Sequence, residues 1–142
     1  MPPAGATAMH ARASTVRTSG LSAIAPLIAS SAISAHTRST SPLSLALIRA
    51  LVLPTSIEGY ARACEALAKG TDPDFGTIEA ELLVVGGEED YMSTREVISA
   101  ICGAVKRARS VEMDKVGHWH AIEQPVKLAR SEEHTSELQS PR

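Results

Sequence analysis

Residues 81–125 read ELLVVGGEEDYMSTREVISAICGAVKRARSVEMDKVGHWHAIEQP, and this stretch decides the fold. Leu82, Leu83, Val84 and Val85 form a short unbroken apolar run that stops at Gly86 and Gly87. A run of that length, half of it β-branched, predicts a strand buried on both faces of a parallel sheet. Ser93 with Glu96 three residues later has the pattern of a capping box and predicts a helix start. Val97, Ile98, Ile101, Cys102 and Val105 then fall on one helical face, with Arg95, Glu96, Lys106 and Arg107 left to water. Val111 and Met113, alternating with Ser110, Glu112 and Asp114, predict a second short strand. A strand, helix and strand of these lengths make a right-handed crossover between parallel strands.

In such a unit, ligands bind beyond the carboxyl ends of the strands. Asp90 follows the first predicted strand and His118 the second, so the two are expected on neighbouring loops at one sheet edge. A carboxylate beside an imidazole fixes its tautomer and stabilises the imidazolium that forms when the ring takes a proton. Glu88 and Glu89 precede Asp90 on the same loop and are the alternative partners for the ring. His118-x-His120 suggests a metal pair, but no third ligand stands at suitable spacing, and zinc needs three or four. No metal or cofactor is expected.

LLVVGGEEDYMST resembles the acid loop of α/β-hydrolases, and VGHWHAIEQP is similar to their histidine loop. The resemblance implies that Asp90 is the acid of a catalytic triad and His118 its base, with a nucleophilic serine upstream in a G-x-S-x-G turn. The nearest approach to that motif is Gly20-Leu21-Ser22-Ala23-Ile24, which lacks the final glycine and follows no strand-like run. The fold class implied is α/β: a partial α/β-hydrolase fold, with a helical cap followed by a parallel strand–helix–strand unit. The function implied is that of a fragment of a serine hydrolase acting on a small-molecule ester or lactone. It leans to the 3-oxoadipate enol-lactonase-like and esterase branch, and without a nucleophile it is inactive as it stands. A non-catalytic binding protein built on the same half-fold is the alternative.

The 142 residues can make one domain with a real core, and 44% of them are hydrophobic. The net charge of −2 gives no reason to expect nucleic acid or an anionic membrane surface as a partner. No apolar run reaches the roughly 18 residues of a membrane span. Cys64 and Cys102, each on an apolar helical face, read as small buried hydrophobes in a reducing compartment, taken as the cytoplasm. Residues 1–57 hold four arginines and no acidic residue, which resembles a mitochondrial transit segment. The arginines (12, 17, 38 and 49) are too spread to form one stripe, and helical signals run on past residue 49.

Those signals predict a helix over Thr7–Ser19 stopped by Gly20, and a second apolar segment over Leu21–Ile33 broken near Pro26. SAHTRSTS (34–41) reads as a loop, and Ser41-Pro42 starts a helix whose Leu43, Leu47, Ile48 and Leu51 share a face. Pro54 ends that helix. Thr55 or Ser56 starts another through Leu67, with Tyr60, Cys64 and Leu67 on one side and Gly70 closing it. Helices ahead of a strand–helix–strand unit resemble an α/β-hydrolase cap, so residues 1–70 are assigned to a cap region and 71–130 to the core. VKLA (126–129) begins a terminal helix expected to stop near Arg130. RSEEHTSELQ (130–139) resembles the in-frame translation of a short-read sequencing adapter, and 131–142 are assigned to a non-native tail.

Overall fold

The computed structural model describes residues 3–137, and the side chains of residues 5–131. The α-helices are α1 (Pro3–Ser19), α2 (Ala25–Ser31), α3 (Ala35–Thr40), α4 (Pro42–Val52), α5 (Ile57–Lys69), α6 (Arg95–Ala104), α7 (His120–Glu123) and α8 (Pro125–Glu137). The strands are β1 (Leu82–Gly87) and β2 (Ala108–Met113). Two compact units divide the chain. The first is built from the chain up to Ser30 and from Leu45–Pro73, the second from Ser31–Ser44 and from Asp74 onward. Residues 31–44, expected within the cap region, therefore group with the α/β unit.

In the first unit α1 and α5 pack on each other through Met9, Ala13, Ala61 and Cys64, with Tyr60 and Ala68 against them. Small side chains let the two backbones come close. Gly20 ends α1 with φ 74°, a conformation that a side chain resists, and its N–H bonds the Val16 carbonyl at 2.9 Å. The expected break near Pro26 is a 3-10 turn at Leu21–Ala23, after which Pro26 sits in the first turn of α2. There its missing N–H leaves no helical bond unmade. Ser56 caps α5, its hydroxyl accepting from the Gly59 N–H at 3.1 Å. The predicted face of α4 is largely open: Ile48 is buried, but Leu43, Leu47 and Leu51 are exposed. Leu67, expected on one side of α5 with Tyr60 and Cys64, is exposed as well, while Ala61 is buried.

In the second unit β1 and β2 are parallel, in register from Leu82 opposite Ala108 to Gly87 opposite Met113. The helix between them, α6, packs against both, with Ile98 buried on it and Val105 buried just past its end. Gly86 makes room for that packing, since a Cβ there would stand 2.2 Å from Ile98 Cδ1. Four expectations change here. The strand runs on through both glycines, and Leu82–Val85 are half-buried because β1 has one neighbour instead of two. Thr94, not Ser93, is the residue before α6, and Ser93 belongs to the acid loop, its N–H donating to Asp90. Val97 lies exposed, while Ile101 and Cys102 are half-buried.

Residues 35–40, expected as loop, are helical. Ser34 caps α3 by accepting from the Thr37 N–H at 3.1 Å, and the Glu89 carboxylate takes the Ala35 N–H at 2.7 Å. Satisfying orphan N–H groups in this way stabilises a helix start, the second time from 54 residues away. At the other end α8 continues past Arg130 to Glu137, since Ser131, Glu132 and Glu133 include no residue that breaks a helix. Residues 138–142 of the proposed tail lie outside the described residues. No single described helix is long and apolar enough to cross a membrane.

Candidate active site

Gly87 closes β1 at a point where a Cβ would stand 2.3 Å from the Gly117 carbonyl oxygen and 2.4 Å from that of Val116. Its bare backbone lets the acid loop lie directly on the chain that leaves β2. The Glu88 N–H donates to the Met113 carbonyl (3.0 Å) and the Glu89 N–H to that of Val116 (2.9 Å). The Glu88 carboxylate accepts from the Lys115 N–H at 2.9 Å. Lys115 has φ 58°, and the bond holds it in that left-handed turn. The loops after β1 and β2 are thus fastened together before any side-chain chemistry begins.

Asp90 comes next. Its N–H bonds the Gly87 carbonyl at 3.1 Å, and its Oδ1 accepts from the N–H groups of Met92 (2.8 Å) and Ser93 (3.1 Å). Its Oδ2 stands 2.9 Å from His118 Nδ1. The Asp90 side chain is wholly buried, whereas that of His118 is 44% exposed. Burial opposes the charged form of Asp90. The hydrogen bond from His118 and the amides of Ser93 and Met92 outweigh that penalty and hold the carboxyl below its ordinary value. An ionised Asp90 only accepts, so Nδ1 carries the proton and Nε2 is left as the basic nitrogen. This pair can orient an imidazole, take a proton at Nε2 and stabilise the resulting cation.

The alternative partners are occupied elsewhere, Glu88 by Lys115 and Glu89 by Ala35. His120 lies at the start of α7, and no group of three His, Cys, Asp or Glu among the described residues could hold a metal ion. Ser22 falls in a 3-10 turn behind a helix, without the strand-to-helix bend of a nucleophile elbow. A shallow cavity of about 250 Å³ adjoins His118, lined by Val85, Trp119, His120, Ala121, Ile122 and Leu128.

One residue in contact with this assembly carried no signal in the sequence beyond being an acid five positions after His118. Glu123 Oε1 accepts from the N–H groups of Gly117 (2.9 Å) and Trp119 (3.3 Å), and its Oε2 from that of Ser34 (2.9 Å). The His118 N–H donates to the Ala32 carbonyl at 2.8 Å. Gly117 must be a glycine here, since a Cβ would stand 2.8 Å from Ala32 O and from the Ile33 backbone.

Compared with known proteins, the sequence matches no family model and no curated protein. Solved structures do match. A thermophilic esterase from Thermogutta terrifontis superposes with a TM-score of 0.87 at 22% identity, over 99% of this chain and 53% of its own. The enol-lactonase from Burkholderia xenovorans gives 0.79 at 29% identity, over 91% and 49%. A hydrolase from Pseudomonas aeruginosa gives 0.79 at 20% identity, over 99% and 52%. The fold is a partial α/β-hydrolase fold, helices followed by a parallel strand–helix–strand unit. Particular relatives of that fold are esterases and an enol-lactonase, and the chain spans about half the length of each.

Proposed function

We propose that this chain supplies the acid and the base of a hydrolase that acts on small-molecule carboxylic esters or lactones. Asp90 orients the ring, and His118 Nε2 takes the proton of a serine nucleophile and later activates water against the acyl-enzyme. The nucleophile comes from a part of the fold outside these 142 residues, and the chain by itself is inert towards esters. The helices of the first unit, without residues 31–44, serve as the substrate-selecting cap, and the two unpaired cysteines suit a reducing compartment such as the cytoplasm.

The observation that carries this reading is the 2.9 Å contact from His118 Nδ1 to a carboxylate wholly buried and held by two amides. A surface histidine capping a turn has no need of such a partner. The esterase and enol-lactonase likenesses support the ester or lactone class. The test joins the coding sequence upstream of Met1 to this chain and follows hydrolysis of p-nitrophenyl butyrate and of a simple lactone. Turnover by the extended protein, lost in His118→Ala, is the expected result. An upstream frame without a strand running into G-x-S-x-G, or turnover that survives the substitution, would sink the proposal.

A further inference from the structure

We infer that Glu123 is a positioning residue for His118, and that it couples the histidine loop to the segment Ala32–Ala35. The inference rests on the acid–base reading above and extends it to a residue with no contact to the ring. The Glu123 carboxylate accepts from the amides on both sides of His118, those of Gly117 and Trp119, while its second oxygen holds the Ser34 N–H. Between those two amides the His118 N–H is committed to Ala32. Three successive N–H groups, 117 to 119, are thereby fixed by two acceptors, the Glu123 carboxylate and the Ala32 carbonyl.

The physical consequence is directional. Asp90 restrains the ring at Nδ1, but a ring held at one atom still swings about its Cα–Cβ bond and with its backbone. Glu123 removes the backbone part of that freedom. Amide hydrogen bonds to a charged acceptor are stronger than neutral ones, so one carboxylate with three amides makes a stiff anchor. Glu89 acts on the same segment from the other loop through the Ala35 N–H, yet its carboxylate takes no hydrogen bond from the amides of 117 to 119, which go to Glu123 and Ala32. It is the built-in control.

The test uses the full chain and the low-field proton NMR signal of the His118 Nδ1–H bound to Asp90, identified by its loss in Asp90→Asn. Glu123→Gln keeps size and one acceptor oxygen but leaves either the Gly117 and Trp119 amides or the Ser34 amide unpaired. The expected result is exchange of the Nδ1 proton with water about tenfold faster, the equivalent of one charge-assisted hydrogen bond, in a chain whose circular dichroism is unchanged. Glu89→Gln is expected to leave the signal as it was. Should Glu123→Gln not fold, Ser34→Pro removes one of the three N–H groups at φ −63°, which proline favours. Ser34→Ala removes only the hydroxyl cap and serves as its reference. A faster exchange in the proline variant than in the alanine variant supports the anchor. A parent-like signal in a folded Glu123→Gln, or equal effects of the two Ser34 substitutions, overturns it. Failure of the hydrolase reading is distinct, because it appears as absent ester turnover with the Glu123 effect intact.

Discussion

Two contacts between a carboxylate and a nitrogen donor, one in each unit, share a distance and little else. In the helical unit Arg17 Nε meets Glu58 at 2.9 Å, Arg62 meets the same carboxylate at 2.9 Å, and Arg17 also contacts Glu65. In the α/β unit His118 meets Asp90 at 2.9 Å. Half of the Glu58 side chain is in water, whereas none of the Asp90 side chain is. Glu58 depends on two long arginine side chains; Asp90 is fixed by backbone amides as well as by the ring. An exposed pair ties two helices together loosely, and solvent screens it. A buried carboxylate with both oxygens engaged cannot relax, so it dictates the state of its partner. Distance alone does not mark a site; what surrounds the carboxylate does.

The largest effects test the buried side of that contrast. In the upstream-extended protein of the proposed function, His118→Ala and Asp90→Asn are each expected to lower kcat/KM for p-nitrophenyl butyrate by about 10⁴-fold. In Asp90→Asn the new amide oxygen can still accept from Met92 and Ser93, but the NH₂ would face Nδ1 and force the wrong tautomer. Stability should respond to pH in a matching way. Asp90 is held below its ordinary value because the bonds from His118 and the two amides together overcome burial. Its contribution is therefore complete above the unfolded carboxyl value, about 3.9, and is lost as pH falls through the lower folded value. Acid unfolding followed by circular dichroism should show that limb flattened in Asp90→Asn. An unaltered limb would place Asp90 among the solvated acids.

Next in size is the backbone that brings the pair together. Gly87→Ala forces a Cβ against two carbonyl oxygens of the chain leaving β2, neither of which can rotate away as a side chain could. A loss of about 3 kcal/mol in urea unfolding is expected, at the upper end for overpacking. Gly86→Ala meets only the tip of Ile98 and should cost less. If the two cost the same, close approach of the loops is not what Gly87 provides.

The helical unit offers a smaller counterpart at Ser56, whose hydroxyl accepts from Gly59. Ser56→Ala should cost about 1 kcal/mol, the usual value of an N-cap. That cap was legible in the sequence to within two neighbours, Thr55 and Ser56, and Gly20 and the parallel pairing of β1 with β2 were legible outright, because each depends on residues close together in the chain or on simple periodicity. The placement of Asp90 and His118 on adjacent loops was legible for the same reason, since the strand–helix–strand unit fixes where its loops emerge. What escaped the sequence was set at long range. Residues 35–40 became a helix with help from Glu89. Ser93, read as the start of α6, instead joins the acid loop through its N–H to Asp90, and the helix begins after Thr94. Glu123 found its three donors only once Ser34 and the histidine loop had met. Spacing likewise placed Leu43, Leu47 and Leu51 on one face, but it could not say that nothing would cover them.

The smallest effect probes the exposed cluster. Hydrogen bonds from Arg17 and then Arg62 bring the Glu58 carboxyl down to about 2. By sign, any stability this confers is present above the unfolded value and disappears as pH falls towards 2. Solvent reaches every member of the cluster, however, and holding two long arginine side chains in place costs rotamer freedom that offsets the Coulomb gain. Arg17→Ala should therefore shift the thermal midpoint only slightly in low salt. At about 1 M salt, where the Debye length is about 3 Å, the shift should vanish. Asp90→Asn measured beside it should keep its effect at that ionic strength, because counter-ions cannot enter between a buried carboxylate and its amides. A loss in Arg17→Ala that survives high salt would mean that α1 and α5 rely on the cluster as firmly as the histidine loop relies on Asp90, and the distinction between the two regions would fail.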